Sequence, residues 1–145
     1  MNVSESALAR LEEVVSGRVL RPGLGAYDEA RRTFNGMIDK RPIAIVRPGG
    51  VDDVPNAVRW AAEVGLPIAV RGGGHSVAGH AVADGALMLD LSQRRGVTFD
   101  PAAGRAKAEG GCQWLDVDAA TQPHGWPCRA EPSVTRGSPG AGSAT

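Results

Sequence analysis

An α+β fold, a small mixed sheet flanked by helices, follows from three features of the sequence. Short apolar runs bounded by turn residues recur at Pro42–Val46, Pro67–Val70 and Ala86–Leu91, the pattern of buried strands. Segments with apolar residues at helical spacing separate or flank them. A Pro101-Ala102-Ala103-Gly104 turn between two short alternating stretches reads as a hairpin.

Taken in order, residues 4–16 predict an opening helix, with Ser4 or Ser6 as cap, Leu8, Leu11 and Val15 on one side, and Gly17 as its stop. A Gly/Pro-rich connector, Arg21 to Gly25, leads into one or two helical turns over Tyr27 to Arg32. The first strand ends at Pro48-Gly49-Gly50. Asp52 or Asp53 then starts a helix whose stripe is Val54, Ala57, Val58, Ala61 and Ala62 and whose end is Gly65. Pro67–Val70 is the second strand and runs directly into Arg71-Gly72-Gly73-Gly74-His75-Ser76. Strand, helix and strand make a βαβ unit with an expected right-handed crossover. The third strand, Ala86–Leu91, precedes the hairpin over 97–109. After Gly110-Gly111, Trp114, Leu115, Val117 and Ala120 mark a last helix. The expected organisation is a helical lead-in over 1–40, a subdomain over 41–125, and an irregular tail over 126–145 that lacks either apolar period.

Composition narrows the function. The chain has 145 residues, room for one modest core. Its 16 basic and 16 acidic side chains balance, which argues against a nucleic-acid or membrane-surface partner, since both need a basic surplus. No apolar run reaches the roughly 18 residues of a membrane span, and the first ten residues lack a signal-peptide pattern. Two cysteines, Cys112 and Cys128, form neither a disulfide framework nor a zinc ribbon. The expected compartment is the cytoplasm. Twenty glycines and ten prolines against two Phe, three Trp and one Tyr imply many turns around an aliphatic core.

Chemistry concentrates in the triple glycine. Three residues without side chains after a buried strand let several N–H groups converge on one anion, most naturally a phosphate or diphosphate. Arg71 adds a fixed cation beside them. No amphipathic helix opens after the loop and no Gly-Lys-Ser/Thr follows, so it is neither the dinucleotide G-x-G-x-x-G turn nor a P-loop. A plain tight turn is the bland alternative. A non-catalytic anion-binding module is a second reading. A metal-dependent hydrolase using His75, His80 and Asp84 is a third, with poor ligand geometry on a glycine-rich loop. Cys112 reads as a small buried residue, Trp60 and Trp114 as core, and Asp116 and Asp118 as a solvated helix face.

The strings Arg41–Val46, Asp53-Val54, Pro67–Ser76, Gly79-His80, Asp84-Gly85, Leu89–Ser92, Gly110–Trp114 and Asp116–Asp118 keep one order and spacing. Together they resemble the flavin-binding domain of the vanillyl-alcohol oxidase/p-cresol methylhydroxylase superfamily, in particular berberine-bridge-enzyme-like FAD-linked oxidases. The resemblance spans roughly residues 27–125. It implies that Arg71, Gly72, Gly73, Gly74, His75 and Ser76 line the FAD diphosphate, with Gly79 and His80 close behind. It also implies that His75 is the site of covalent attachment to the flavin, a bond open to a neutral imidazole nitrogen. In the family, hydride from a substrate C–H of an alcohol, amine or sugar passes to the flavin, whose redox chemistry the protein orients. The family builds the flavin site from two subdomains and covers it with a substrate domain. This chain matches only the first, so it is expected to be inactive alone, and no catalytic base can be named.

The departure begins at Trp126. The family typically continues L-A-V-P-G-G and then T-G-x-x-G, whereas this chain has Trp126-Pro127-Cys128-Arg129-Ala130-Glu131-Pro132. Joining the third base of each codon to the first two of the next, with synonymous choices left open, recovers L-A-V-P-G-G-T-V-S-H-T-G-I-A-G from Gly125 to Gly140. The expectation is that residues 126–145 are translated out of frame. The restored frame holds no cysteine, so a single histidyl flavin link is expected.

Overall fold

The computed structural model describes residues 3–73, 76 and 78–126. Helix α1 (Glu5–Val14) is capped by Ser4, whose hydroxyl accepts from the Ala7 N–H at 3.2 Å. Gly17 is not its stop; Val15 ends the helix in an extended conformation. Gly17 is needed for close approach instead, because a Cβ there would lie 2.1 Å from the Arg47 carbonyl oxygen and 2.4 Å from the Gly49 nitrogen. A strand the sequence did not announce follows, β1 (Arg18–Leu20). It is three residues long, too short to display a period.

Helix α2 (Gly25–Ala30) buries Tyr27 and Ala30, and the Tyr27 hydroxyl donates to the Pro42 carbonyl at 2.6 Å. Strand β2 (Ala44–Arg47) is buried over its first three residues. Helix α3 (Asp53–Glu63) buries Asp53, Ala57, Trp60 and Ala61. Of the expected stripe Ala57 and Ala61 are buried while Val58 and Ala62 are exposed, and Trp60 packs inward as expected, its indole N–H donating to the Ala7 carbonyl at 2.9 Å. Strands β3 (Ile68–Arg71) and β4 (Leu87–Asp90) complete a sheet in the order β1-β2-β4-β3. β1 runs antiparallel to β2, while β2, β4 and β3 are parallel. β2 and β3 therefore do not pair directly, because β4 lies between them. β4 is buried throughout, whereas β3, at the edge, leaves Val70 exposed. On the α2 side the core is Leu20, Tyr27, Ala30, Ile45, Val82 and Met88, with Ile38 packed against it. Helix α3 packs on α1 and β4.

The remaining described elements are the hairpin β5 (Val97–Asp100) and β6 (Arg105–Ala108), antiparallel to each other, and helix α4 (Trp114–Thr121). A 3-10 turn over Gln122–His124 closes at Gly125 in the left-handed region. In α4 only Val117 and Thr121 are buried; Leu115 is exposed and Trp114 half-buried, contrary to the expected apolar side. The chain divides into two compact units, Met1–Arg71 with Ser76–Asp90, and Gly72–His75 with Leu91–Thr145. Among the described residues no helix is long and apolar enough to cross a membrane.

Candidate functional site

The three parallel strands end at one edge of the sheet, the edge at which open parallel sheets take ligands. The register places Arg71 of β3 opposite Asp90 of β4, and the residue after the Val46–Leu89 pair of β2 and β4 is Arg47. A charged row, Arg47, Asp90 and Arg71, thus extends the apolar row of Ile45, Met88 and Ala69. Asp90 has no exposed side-chain surface and accepts from Arg47 Nε at 2.9 Å, while Arg47 keeps 21% of its side chain exposed. Sequence reading did not single out Asp90, although a full charge inside the run Leu87–Leu91 is a signal that could have done so.

Arg71 is buried, and its guanidinium donates to the carbonyls of Ala30 and Arg32 at 2.5 and 2.6 Å. Ala30 is the last residue of α2 and Arg32 lies just past its end, so Arg71 takes up carbonyls that the helix leaves unpartnered or does not reach. Burial lowers the Arg71 pKa and the neighbouring Asp90 opposes that effect. The cation expected beside the glycines is therefore spent on backbone carbonyls.

From Arg71 the chain enters the loop. Gly72 and Gly73 are bends, partly exposed. Gly74 and His75 lie outside the described residues, as does Cys128. Where the chain is described again, the Ser76 carbonyl accepts from the Gly79 N–H at 3.1 Å and the Ser76 hydroxyl from the His80 N–H at 3.2 Å. Gly79 has φ +72°, and a Cβ there would lie 2.3 Å from Ile38 Cδ1. The left-handed backbone is what favours glycine there, since the near atom is the far end of a flexible side chain that can shift. The His80 side chain is exposed. Arg71, Ser76, Gly79 and His80 thus belong to one unit, with the 31–41 connector bound at both ends: Ala30 and Arg32 to Arg71, Ile38 to Gly79.

A second glycine loop holds a carboxylate. Asp53 accepts from the N–H groups of Ser16, Gly17, Gly49 and Gly50 at 2.7 to 3.3 Å and from the Ser16 hydroxyl. Burial, the largest influence, would raise its pKa; the hydrogen bonds together outweigh it and hold the carboxyl below its ordinary value. Asp52 or Asp53 was expected to start α3, and α3 does begin at Asp53; its carboxylate also joins the α1–β1 and β2–α3 turns.

In the other unit, Gly111 lies so close to Leu91 that a Cβ would sit 1.8 Å from its carbonyl oxygen. Cys112 is buried, its thiol donates to the Gly96 carbonyl at 3.3 Å, and burial pushes its pKa up, so it is not a nucleophilic thiolate. Asp116 caps α4 by accepting from the Gln113 N–H at 2.7 Å and pairs with Arg95; it is a structural cap rather than a free solvated charge. Among the described residues, which exclude His75, no group of three His, Cys, Asp or Glu is placed to hold a metal.

Side-chain-free glycines leaving the carboxyl edge of a parallel sheet fit a diphosphate-bearing cofactor. Comparison with known proteins agrees. The family model described as FAD binding domain matches residues 42–144. (R)-6-hydroxynicotine oxidase of Paenarthrobacter nicotinovorans is 36% identical over 97 residues, covering 67% of this chain and 21% of the relative. The structure of Physcomitrella patens BBE-like 1 superimposes with TM-score 0.75 at 30% identity, over 81% of this chain and 26% of that one. Glucooligosaccharide oxidase of Acremonium strictum, described with a 6-S-cysteinyl, 8α-N1-histidyl FAD, gives TM-score 0.75 at 27% identity, over 83% of this chain and 26% of that one. The chain spans about a fifth to a quarter of the length of the relatives it matches. With the fold, the glycine loop and the family match in agreement, the chain belongs to the FAD binding domain family, whose members similar to it include a 6-hydroxynicotine oxidase and a BBE-like protein.

Proposed function

We propose that this chain is the diphosphate-holding part of the flavin site of an oxidase that takes hydride from a small-molecule C–H, and that it does not turn over substrate alone. The observation that carries the reading is the glycine loop leaving β3 at the carboxyl edge of the parallel strands. When bound, FAD supplies the hydride-accepting chemistry. The chain's own residues supply orientation: N–H groups of Gly72, Gly73, Gly74 and Ser76 toward the diphosphate, Gly79 and His80 closing the turn behind them. His75 supplies a neutral imidazole nitrogen as the point of covalent attachment. A cytoplasmic setting without nucleic-acid or membrane partners belongs to the same reading, supported by the balanced charge and by Cys112 as a buried free thiol.

The test is to purify the chain, incubate it with FAD, precipitate it in acid and read flavin absorbance in the pellet. Flavin retained by the native chain and lost in His75→Ala supports the attachment. Flavin retained by both, or released from the native chain into the supernatant, removes His75 from that role. No substrate-dependent oxygen uptake is expected from this chain. The reading of residues 126–145 as out of frame is tested by resequencing: an uninterrupted frame encoding Trp126 to Thr145 overturns it.

A further inference from the structure

The 31–41 connector carries chemistry that the flavin reading does not use. Its tight turn closes where the Ile38 N–H donates to the Asn35 carbonyl at 3.0 Å, and the Met37 N–H donates to the Asn35 side-chain oxygen at 3.1 Å. We propose that Asn35-Gly36 is a self-modifying site, at which the Gly36 nitrogen attacks the Asn35 side-chain amide and water then leaves an isoaspartyl link that loosens Ile38 from the core. The Gly36 N–H gives its proton to hydroxide, the nitrogen bonds Asn35 Cγ, and the Cγ–Nδ2 bond breaks. The leaving nitrogen takes a proton from water and departs as ammonia. The cyclic imide adds water, opening at the main-chain carbonyl to isoaspartate or at the side-chain carbonyl to aspartate. Nothing is oxidised or reduced.

The turn prepares both partners of the attack. The Met37 N–H polarises the side-chain amide and makes Cγ the better electrophile. The Thr33 hydroxyl, at 2.8 Å, and the Ile38 N–H both donate to the Asn35 main-chain carbonyl. They draw electron density from the peptide unit that contains the Gly36 nitrogen, which eases loss of its proton. Among the described residues nothing accepts from the Gly36 N–H. Gly36 is exposed and Met37 is 93% exposed, so water reaches the imide. The other asparagines differ. Asn56 lies inside α3, its Nδ2 on the Val14 carbonyl at 2.9 Å, and Asn2, outside the described residues, precedes the branched Val3. An isoaspartyl link routes the main chain through Cβ and lengthens it between two fixed points. Arg71 holds the Arg32 carbonyl on one side, and Ile38 packs against the core and beside Gly79 on the other.

The full chain is aged at neutral and mildly alkaline pH, digested with trypsin, and the Thr33–Lys40 peptide is followed for amide-to-acid conversion and isoaspartate. Conversion is expected at Asn35 well ahead of Asn2 and Asn56, faster at the higher pH. A Cβ on Gly36 would meet nothing within 4 Å, so Gly36→Ala folds, and it should slow conversion about tenfold. Thr33→Val should slow it about threefold in the folded chain and not at all in denaturant. The aged chain should melt about 4 °C below fresh protein, whereas Asn35→Asp, which keeps the chain length, should not. An Asn35 that stays amide, or converts no faster than Asn2 and Asn56, overturns the site. Equal folded rates for the native chain and Thr33→Val overturn the turn's part in it. An aged chain that melts with fresh protein overturns the loosening of Ile38. None of these outcomes touches the flavin reading, which the acid-precipitation experiment tests separately.

Discussion

The sheet and the hairpin solve the problem of holding a strand in place by opposite means. β4 is buried along its whole length and β2 nearly so, with Ile45, Leu87 and Met88 at 0% exposure. β5 alternates between half-buried and exposed residues, and β6, which reads Arg-Ala-Lys-Ala, is exposed over its first three. A two-stranded ribbon of that kind has little apolar area to remove from water. Polar clasps compensate: Glu109 accepts from the Gly96 N–H at 2.8 Å and pairs with Arg94, and Arg95 pairs with Asp116. Packing fixes the strands that present the site, and hydrogen bonds fix the ribbon.

Substitutions sharpen this contrast when ranked by expected size. Met88→Ala opens a cavity in the sheet core and should cost about 2–5 kcal/mol in denaturant unfolding; a loss below about 1 kcal/mol would remove packing as the basis of the sheet. Asp53→Ala strands N–H groups of Ser16, Gly17, Gly49 and Gly50 and should cost about 3 kcal/mol. The carboxyl's folded pKa lies below its unfolded value, so its stabilisation is fully present above the unfolded value, near 4, and fades as pH falls through the folded one. Native stability should fall more steeply in that acid window than that of Asp53→Ala, and parallel curves would refute the linkage.

Gly111→Ala is the ribbon unit's exception to the contrast, since the Leu91 backbone cannot yield; about 1–3 kcal/mol is expected, with amide exchange accelerated around residues 91–112. Glu109→Gln should cost about 1 kcal/mol or less, because its side chain is 36% exposed and solvent screens its pair with Arg94. A loss as large as that of Met88→Ala would break the contrast outright.

What the sequence disclosed follows the same division. β2 and β4 carry local apolar runs, and the hairpin carries a local turn, so all were legible within short windows. β1 was not, having three residues and a partner some twenty-seven positions away in β2. α3 was read with Val58 inward and Trp60 in the core; Trp60 is buried, but Val58 is exposed and Asp53 is buried instead, because its carboxylate found four backbone donors. The glycine run of the site is visible because it is contiguous. The engagement of Arg71 is not, because its acceptors lie 41 and 39 positions earlier in the chain. Arg47 lacked any local signal for the same reason: only the sheet order brings it to one row with Asp90.

The sheet order also dictates a sequence of events during synthesis. β2 and β3 leave the ribosome first, yet neither hydrogen-bonds the other; each forms its parallel ladder with β4. The glycine loop emerges between β3 and β4, before the strand that pins β3 beside β2 exists. A nascent chain halted short of Leu87 therefore has no parallel ladder at all, and the edge on which the loop depends comes into being in one step, when Leu87 to Asp90 slots into the gap.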